Sequence, residues 1–228
     1  MKIIRMMVLP VLLAVHGLAW GGFDEGLAAY KAGDYTTALQ EWMPFAEQGD
    51  AAAQYNLGLM YGSGRGVPQD YKEALSWFYK AAEQGHTDAQ YNLGMMYDNG
   101  RGVPQNYKEA VEWYHKAADQ GDADAQSNLG VMYDQGQGVP QNYKEAVEWY
   151  RKAAEQDHAG AQYNLGLMYY KGKDVPQNYV QAYKWFSIAG ANGNKIGTSN
   201  RDILEKEMTP GQVAVAQKLT REWLAKHP

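Results

Sequence analysis

Apolar residues recur along this chain with two nested periods, and each predicts a level of structure. Ala53, Leu57 and Tyr61 follow an i, i+4, i+8 pattern that lies on one face of a helix. Tyr71, Ala74, Leu75, Phe78, Ala81 and Ala82 mark the buried face of a second helix. The pair returns every 36 residues, visible in Trp77, Trp113, Trp149 and Trp185 and again in Pro68, Pro104, Pro140 and Pro176. A repeat of that length predicts an all-α solenoid, in which each helix pair buries its apolar face only against its neighbours.

The residues between these helices predict where each starts and stops. Gly64 and Gly66 permit positive φ, Pro68 fixes the approach, and Asp70 caps the second helix with Glu73 three residues on. Asn106/Glu109, Asn142/Glu145 and Asn178/Gln181 repeat that capping-box arrangement, and Gly85 and Gly121 stand where a C-cap is expected. Gly58 lets a neighbouring helix come close. In the last unit Asp174 replaces the second turn glycine; Asp tolerates the left-handed region, so the turn is expected to survive. Phe23 to Gly49 reads as a shortened first unit. After Gly193 the repeat fades into two helices, Asn200–Met208 and Thr209–Lys226, the latter opened by Thr209-Pro210.

Written out, the units share AQxNLGxMY, GxGVPQNY and KEAxxWYxKAAxQG, which resembles the Sel1-like repeat family, a relative of the tetratricopeptide repeats. The resemblance covers Asp50 to Gly193 and implies a right-handed superhelix of antiparallel helix pairs. The expected organisation is a signal segment at 1–19, a shortened tetratricopeptide-like unit at 20–49, repeats at 50–85, 86–121, 122–157 and 158–193, and capping helices at 194–228. Some Sel1-like proteins are described as cell-wall enzymes, but those are rich in cysteine and this chain has none.

Composition narrows the setting. Lys2 and Arg5 precede an apolar run from Met6 to Val15, and Gly17-Leu18-Ala19 supplies small residues for cleavage near Ala19/Trp20, so a periplasmic or secreted protein is expected. An uncleaved anchor is the rival reading, but the run is shorter than the ~20 residues a spanning helix needs. Without cysteine there is no lipid acceptor, disulfide or thiol chemistry. Loss of Lys2 and Arg5 moves the net charge from −5 to −7, which argues against nucleic acid or anionic lipid as partner.

Function is expected at positions the fold leaves over. Opposite the core arc of each first helix stand Tyr55, Asn56 and Leu59, and their copies Tyr91, Asn92 and Met95, Ser127, Asn128 and Val131, and Tyr163, Asn164 and Leu167. The resemblance implies that these first helices line a concave groove, which makes this face a candidate surface for a peptide or partner protein. Aromatic rings hold side chains and an Asn reads backbone. Against that stands a structural reading, in which Asn satisfies a carbonyl of the preceding turn and Tyr packs on the adjacent first helix. Ser127, where the other units have Tyr, is expected to make the groove shallower there and marks a candidate pocket, with neutral drift as the alternative.

Other eye-catching residues point elsewhere. The four tryptophans are expected to pack between repeats. Arg65, Arg101, Gln137 and Lys173 share a loop position and read as solvated, with a cationic stripe as the alternative. Asp50, His86, Asp122 and His158 share a turn position as caps, and no His pair falls on one helix face. His115 stands alone. No GxSxG, HExxH, phosphate-loop or paired-carboxylate motif occurs, so neither catalysis, a metal nor a cofactor is expected. The reading favoured is a non-catalytic adaptor that holds an extended segment of another exported or membrane protein. The alternatives are a cell-wall or carbohydrate binder and a secreted, host-directed factor.

Overall fold

A computed structural model of the chain describes residues 15–227, all of the expected signal segment before Val15 lying outside them. Among the described residues there are twelve helices and no strand, and none of the helices is long and apolar enough to cross a membrane. The chain divides into two compact units, one up to His86 and one from Thr87. The first contains α1 (Val15–Ala32), α2 (Tyr35–Glu47), α3 (Ala51–Ser63) and α4 (Tyr71–Glu83). The second contains α5 (Thr87–Asn99), α6 (Tyr107–Asp119), α7 (Ala123–Gln135), α8 (Tyr143–Ala154), α9 (Ala159–Lys171), α10 (Tyr179–Ala191), α11 (Lys195–Glu205) and α12 (Pro210–Leu224).

Within each repeat one contact sets the distance between the paired helices. A Cβ added to Gly58, Gly94, Gly130 or Gly166 would sit 2.5–2.6 Å from the ring of Phe78, Tyr114, Tyr150 or Phe186. The ring of the second helix therefore lies against bare backbone of the first. Gly26 receives the Trp42 indole in the same way, so the shortened first pair obeys the same rule. Leu57, Leu93, Leu129 and Leu165 and the alanines around them are fully buried beside these contacts. Tyr71 departs from expectation: it is 37% exposed at the start of α4, where its hydroxyl accepts from Gln69.

Helix ends follow from the capping residues. Asp70 Oδ1 accepts from the backbone of Lys72 and Glu73 at 2.8 and 3.2 Å, and Asn106, Asn142 and Asn178 open α6, α8 and α10. The reciprocal capping box closes at α12 between Thr209 and Gln212. Asp50, Asp122 and His158 cap α3, α7 and α9, as their shared position predicted. Gly85 (φ 87°) ends α4 in a Schellman turn, with Gly85 N–H on Ala82 O and His86 N–H on Ala81 O. Asp174 keeps its turn at φ 48°, and Asp157 takes a left-handed φ of 62° where the other units have glycine. The glutamine after each turn proline closes the first helix: Gln69, Gln105, Gln141 and Gln177 donate to Gly62 O, Asp98 O, Asp134 O and Tyr170 O.

Repeats are joined by a buried amide ladder that the sequence pattern carried without revealing its role. Gln126 Nε2 donates to Ala118 O of the preceding helix at 3.1 Å, and its Oε1 accepts from Gln156 at 2.8 Å. Gln54 and Gln162 repeat the arrangement with Ala46 O and Gln84, and with Ala154 O and Asn192. Gln90 accepts from Gln120 at 2.7 Å. Gln54, Gln126 and Gln162 thus each add a second donor to a buried helix-end carbonyl that otherwise accepts only the backbone N–H three residues on.

Three of the four repeat tryptophans pack on the core of the preceding repeat, as expected. Trp149 joins the core of α6 and α7, Trp185 that of α8 and α9, and Trp77 leans on the core of the first unit. Lys80, Lys116 and Lys152 place their ammonium groups 3.7–3.8 Å from the centroids of Trp77, Trp113 and Trp149. Two of the loop cations, Arg65 and Lys173, are anchored rather than merely solvated. Arg65 Nη1 donates to Tyr30 Oη at 2.7 Å, and Lys173 pairs with Asp134 over the Tyr143 ring. His115 lies 3.2 Å from Tyr133 Oη and edge-on to Trp149; burial holds its pKa below the ordinary 6.5.

Three outcomes follow from this packing. Gly58→Ala should lower stability by about 1–3 kcal/mol through overpacking against Phe78, whereas Gly62→Ala in the same helix, with only Ala74 Cβ at 3.6 Å, should raise it by about 0.5–1 kcal/mol. Urea denaturation reads both signs; equal signs would mean that the ring does not set the helix spacing. Gln126→Leu should cost about 1–3 kcal/mol by removing both hydrogen bonds through which this side chain joins α7 to Ala118 O and Gln156, measured the same way. His115 is held neutral in the fold, so the unfolded chain takes up protons first, and the stability this contributes is full above pH 6.5 and lost as pH falls below it. Between pH 7.5 and 5 the urea midpoint of His115→Gln should therefore fall less than that of the native chain.

Candidate functional site

The face expected to bind a partner is made of side chains that the core uses only in part. Tyr55, Asn56 and Leu59 on α3 are all half-buried. So are Tyr91, Asn92 and Met95 on α5, Asn128 and Val131 on α7, and Tyr163, Asn164 and Leu167 on α9. Their shared environment comes from the helix spacing. With glycine one turn further along, each first helix lies so close to its partner that its tyrosine leans on the same ring: Tyr55 on Phe78, Tyr91 on Tyr114 and Tyr163 on Phe186, at centroid distances of 5.8, 5.9 and 5.8 Å. The tyrosine rings thus pack on the second helix of their own repeat, and Tyr91 and Tyr163 also meet the following first helix, as the structural reading expected. Tyr55 also stacks on His86 at 4.6 Å.

The asparagines divide their amides between structure and solvent. Asn92 Nδ2 donates to Asp88 O, one turn back in its own helix, at 2.7 Å. The Asn128 side chain lies beside the hydroxyls of Tyr91 and Tyr114 in the repeat before it. Burial raises the pKa of both phenols, Asp124 adding to the shift at Tyr91 and Asp98 to that at Tyr114, so both are neutral donors at physiological pH. Tyr114 passes its own proton towards Asp98 Oδ2 at 3.3 Å. Ser127, the gap in the tyrosine column, is buried.

The column runs one helix further than the sequence suggested. The repeat was expected to fade after Gly193 and the next helix to begin at Asn200; instead Asn194, one period after the His158 cap, opens α11 at Lys195. That register places Asn200 and Ile203 one period after Asn164 and Leu167. Asn200 Nδ2 donates to Tyr163 Oη at 3.3 Å, tying α11 to the tyrosine of the preceding first helix. Ile203 is 57% exposed. Together with Leu167, Tyr170, Lys171, Phe186 and Leu204, these two residues line a pocket of about 120 Å³. The signal was present in the sequence as an Asn and an apolar residue three positions apart, and the changed residues between them hid it.

The surface offers hydrogen-bonding amides, aromatic edges and aliphatic side chains, which is the chemistry of recognition. Among the described residues no three His, Asp or Glu side chains converge on a point that would hold a metal ion.

Comparison with known proteins agrees with this architecture. The sequence profile of the Sel1 repeat matches residues 51–86, 87–122, 123–158 and 159–194. A Sel1 repeat protein from Oxalobacter formigenes is similar in structure with a TM-score of 0.75 and 37% identity, over 78% of this chain and 74% of that one. A protective antigen of uropathogenic Escherichia coli with an SLR fold shares 35% identity at a TM-score of 0.59; the match covers 91% of this chain and 53% of that one. An immunity protein from Pseudomonas aeruginosa, 21% identical over 93% of this chain and 81% of its own, has a TM-score of 0.51 and so shares the fold. Comparison with the curated proteins gives no match. Proteins built of Sel1 repeats serve in general as non-catalytic scaffolds for protein–protein interaction. With four consecutive repeats matched over more than half its length and the paired-helix architecture to go with them, this chain belongs to the Sel1 repeat family.

Proposed function

We propose that this protein is an exported, non-catalytic adaptor or regulator of the bacterial cell envelope. In this reading it holds an extended segment of another exported or membrane protein along the face of its first helices. The observation that carries the reading is the column of half-buried tyrosine, asparagine and aliphatic residues on α5, α7 and α9, continued on α11 by Asn200 and the exposed Ile203. Its side chains are fixed by packing on one edge and open on the other. Rings already positioned lose little entropy when a ligand arrives, and an amide with one hydrogen bond made still has capacity for peptide backbone. Export rests on the apolar segment after Lys2 and Arg5. The mix of Met, Val, Leu and Ile with tyrosine favours a protein ligand over a cell-wall polymer, whose sites rely more on polar and planar groups.

A photoreactive residue placed at Tyr91 should capture one dominant exported or membrane protein in cells, identified by mass spectrometry. Asn92→Ala combined with Asn128→Ala should weaken that purified complex about tenfold or more. If the double variant loses stability but keeps its affinity, the asparagines only support the fold. If envelope extracts yield no protein while the chain sediments with purified sacculi, the ligand is cell-wall polymer and the adaptor reading fails.

A further inference from the structure

The array ends in a cleft that the next repeat would have filled. On α11, Gly197 and Leu204 stay buried in the register of Ala161 and Met168, but two core positions change character: Arg201 stands one period after Leu165, and Asp202 one period after Gly166. A second helix cannot press an aromatic ring onto that pair, because the glycine backbone it needs now carries a charged side chain. The chain instead sends α12 across the end, where Trp223 packs on Trp185 at 6.0 Å. Between α10, α11 and α12 remains a cleft of about 410 Å³, lined among others by Ser187, Thr198, Arg201, Gln217, Thr220 and Arg221. That volume lies in the range of small-molecule sites, roughly 300–1,000 Å³.

The polar groups of the cleft are arranged for a particular kind of ligand. Asp202 Oδ1 engages Nε and Nη2 of Arg201 at 2.8 and 2.5 Å, orienting that guanidinium, whereas Arg221 is exposed and has no ion pair among the described residues. Ser187 donates its hydroxyl proton to Tyr183 O at 2.8 Å, and Thr220 donates to Ala216 O at 2.9 Å. Both hydroxyl oxygens therefore remain as acceptors, while Gln217 can give and take hydrogen bonds. A ligand that matches must bring an oxyanion for the arginines and hydroxyl donors for Ser187 and Thr220. A simple anion meets only half of this, and a neutral sugar only the other half.

We propose that this cleft binds a small hydroxylated carboxylate of the sugar-acid class, its carboxylate paired in bidentate fashion with Arg221 and its hydroxyls donating to Ser187 and Thr220. The site is separate from the face of the first helices, and its failure would leave the adaptor reading untouched.

Titration calorimetry of the whole protein with glucuronate, glucose, acetate and inorganic phosphate tests this. Glucuronate should bind, the other three should bind at least about tenfold more weakly, and Arg221→Gln should weaken glucuronate by about tenfold or more with an unchanged melting temperature. Arg221→Lys, which keeps the charge but not the planar fork, should fall between. Absence of glucuronate binding, acetate or phosphate binding as tightly as glucuronate, or indifference to Arg221→Gln would each overturn the proposal.

Discussion

Everything in this structure is hung on the contact between a helix glycine and an aromatic ring. Helix interiors disfavour glycine by about 1 kcal/mol relative to alanine, so its presence at Gly58, Gly94, Gly130 and Gly166 needs an offsetting gain. The gain is the burial of a whole ring against backbone, at a distance that no side chain would permit. That distance then fixes what else fits. It seats the leucine one residue earlier in a fully buried position, and it brings the tyrosine three residues earlier onto the edge of the same ring. The candidate binding face and the core are therefore two sides of one packing decision.

The Gln ladder answers a second demand, which the glycine contact does not meet. Where the next repeat covers a C-terminal turn, its last carbonyls keep one backbone N–H but lose water from the second lone pair, and a solenoid meets that problem at every step. Gln54, Gln126 and Gln162 solve it with one side chain each, donating to the carbonyl below and accepting from the amide at the end of the following helix. Because both hydrogen bonds are made, a buried amide becomes a specific fastener: only the correct register between repeats satisfies it. Apolar faces alone would tolerate sliding, and amide pairs of this kind do not.

Much of this was legible in the sequence. Period, turn glycines and caps announced the helix pairs, because those signals are local and each residue's role is fixed by its own backbone. Gly58 already pointed to a close helix approach. What escaped were roles set by neighbours in space. Gln126 and Asn128 differ by two positions and are equally periodic, yet only the fold shows that the glutamine is buried between helices while the asparagine sits half open on the outer face. Arg65 and Lys173 looked like loop residues in water, since their tyrosine partners lie 30 or more positions away. On the candidate face, residue type and period picked out the column, but not that Asn92 turns back on its own helix while Asn200 reaches Tyr163 in the repeat before it.

The end of the array shows how a repeat protein acquires chemistry that its repeats lack. Within the array, any position that meets a neighbouring repeat is held to one residue type by packing, so four copies read nearly alike. At the last helix A that pressure lifts, because no further aromatic helix has to be received. Arg201 and Asp202 occupy the very positions where leucine and glycine are otherwise required, and a charged pair there is tolerable only because α12 leaves it access to water. The same release explains Thr198, which stands in the column of the amide ladder with no later repeat to fasten. Polar groups gather where the periodic constraint stops, and in a protein this regular that makes the boundary of the repeat the place where its sequence is free to differ.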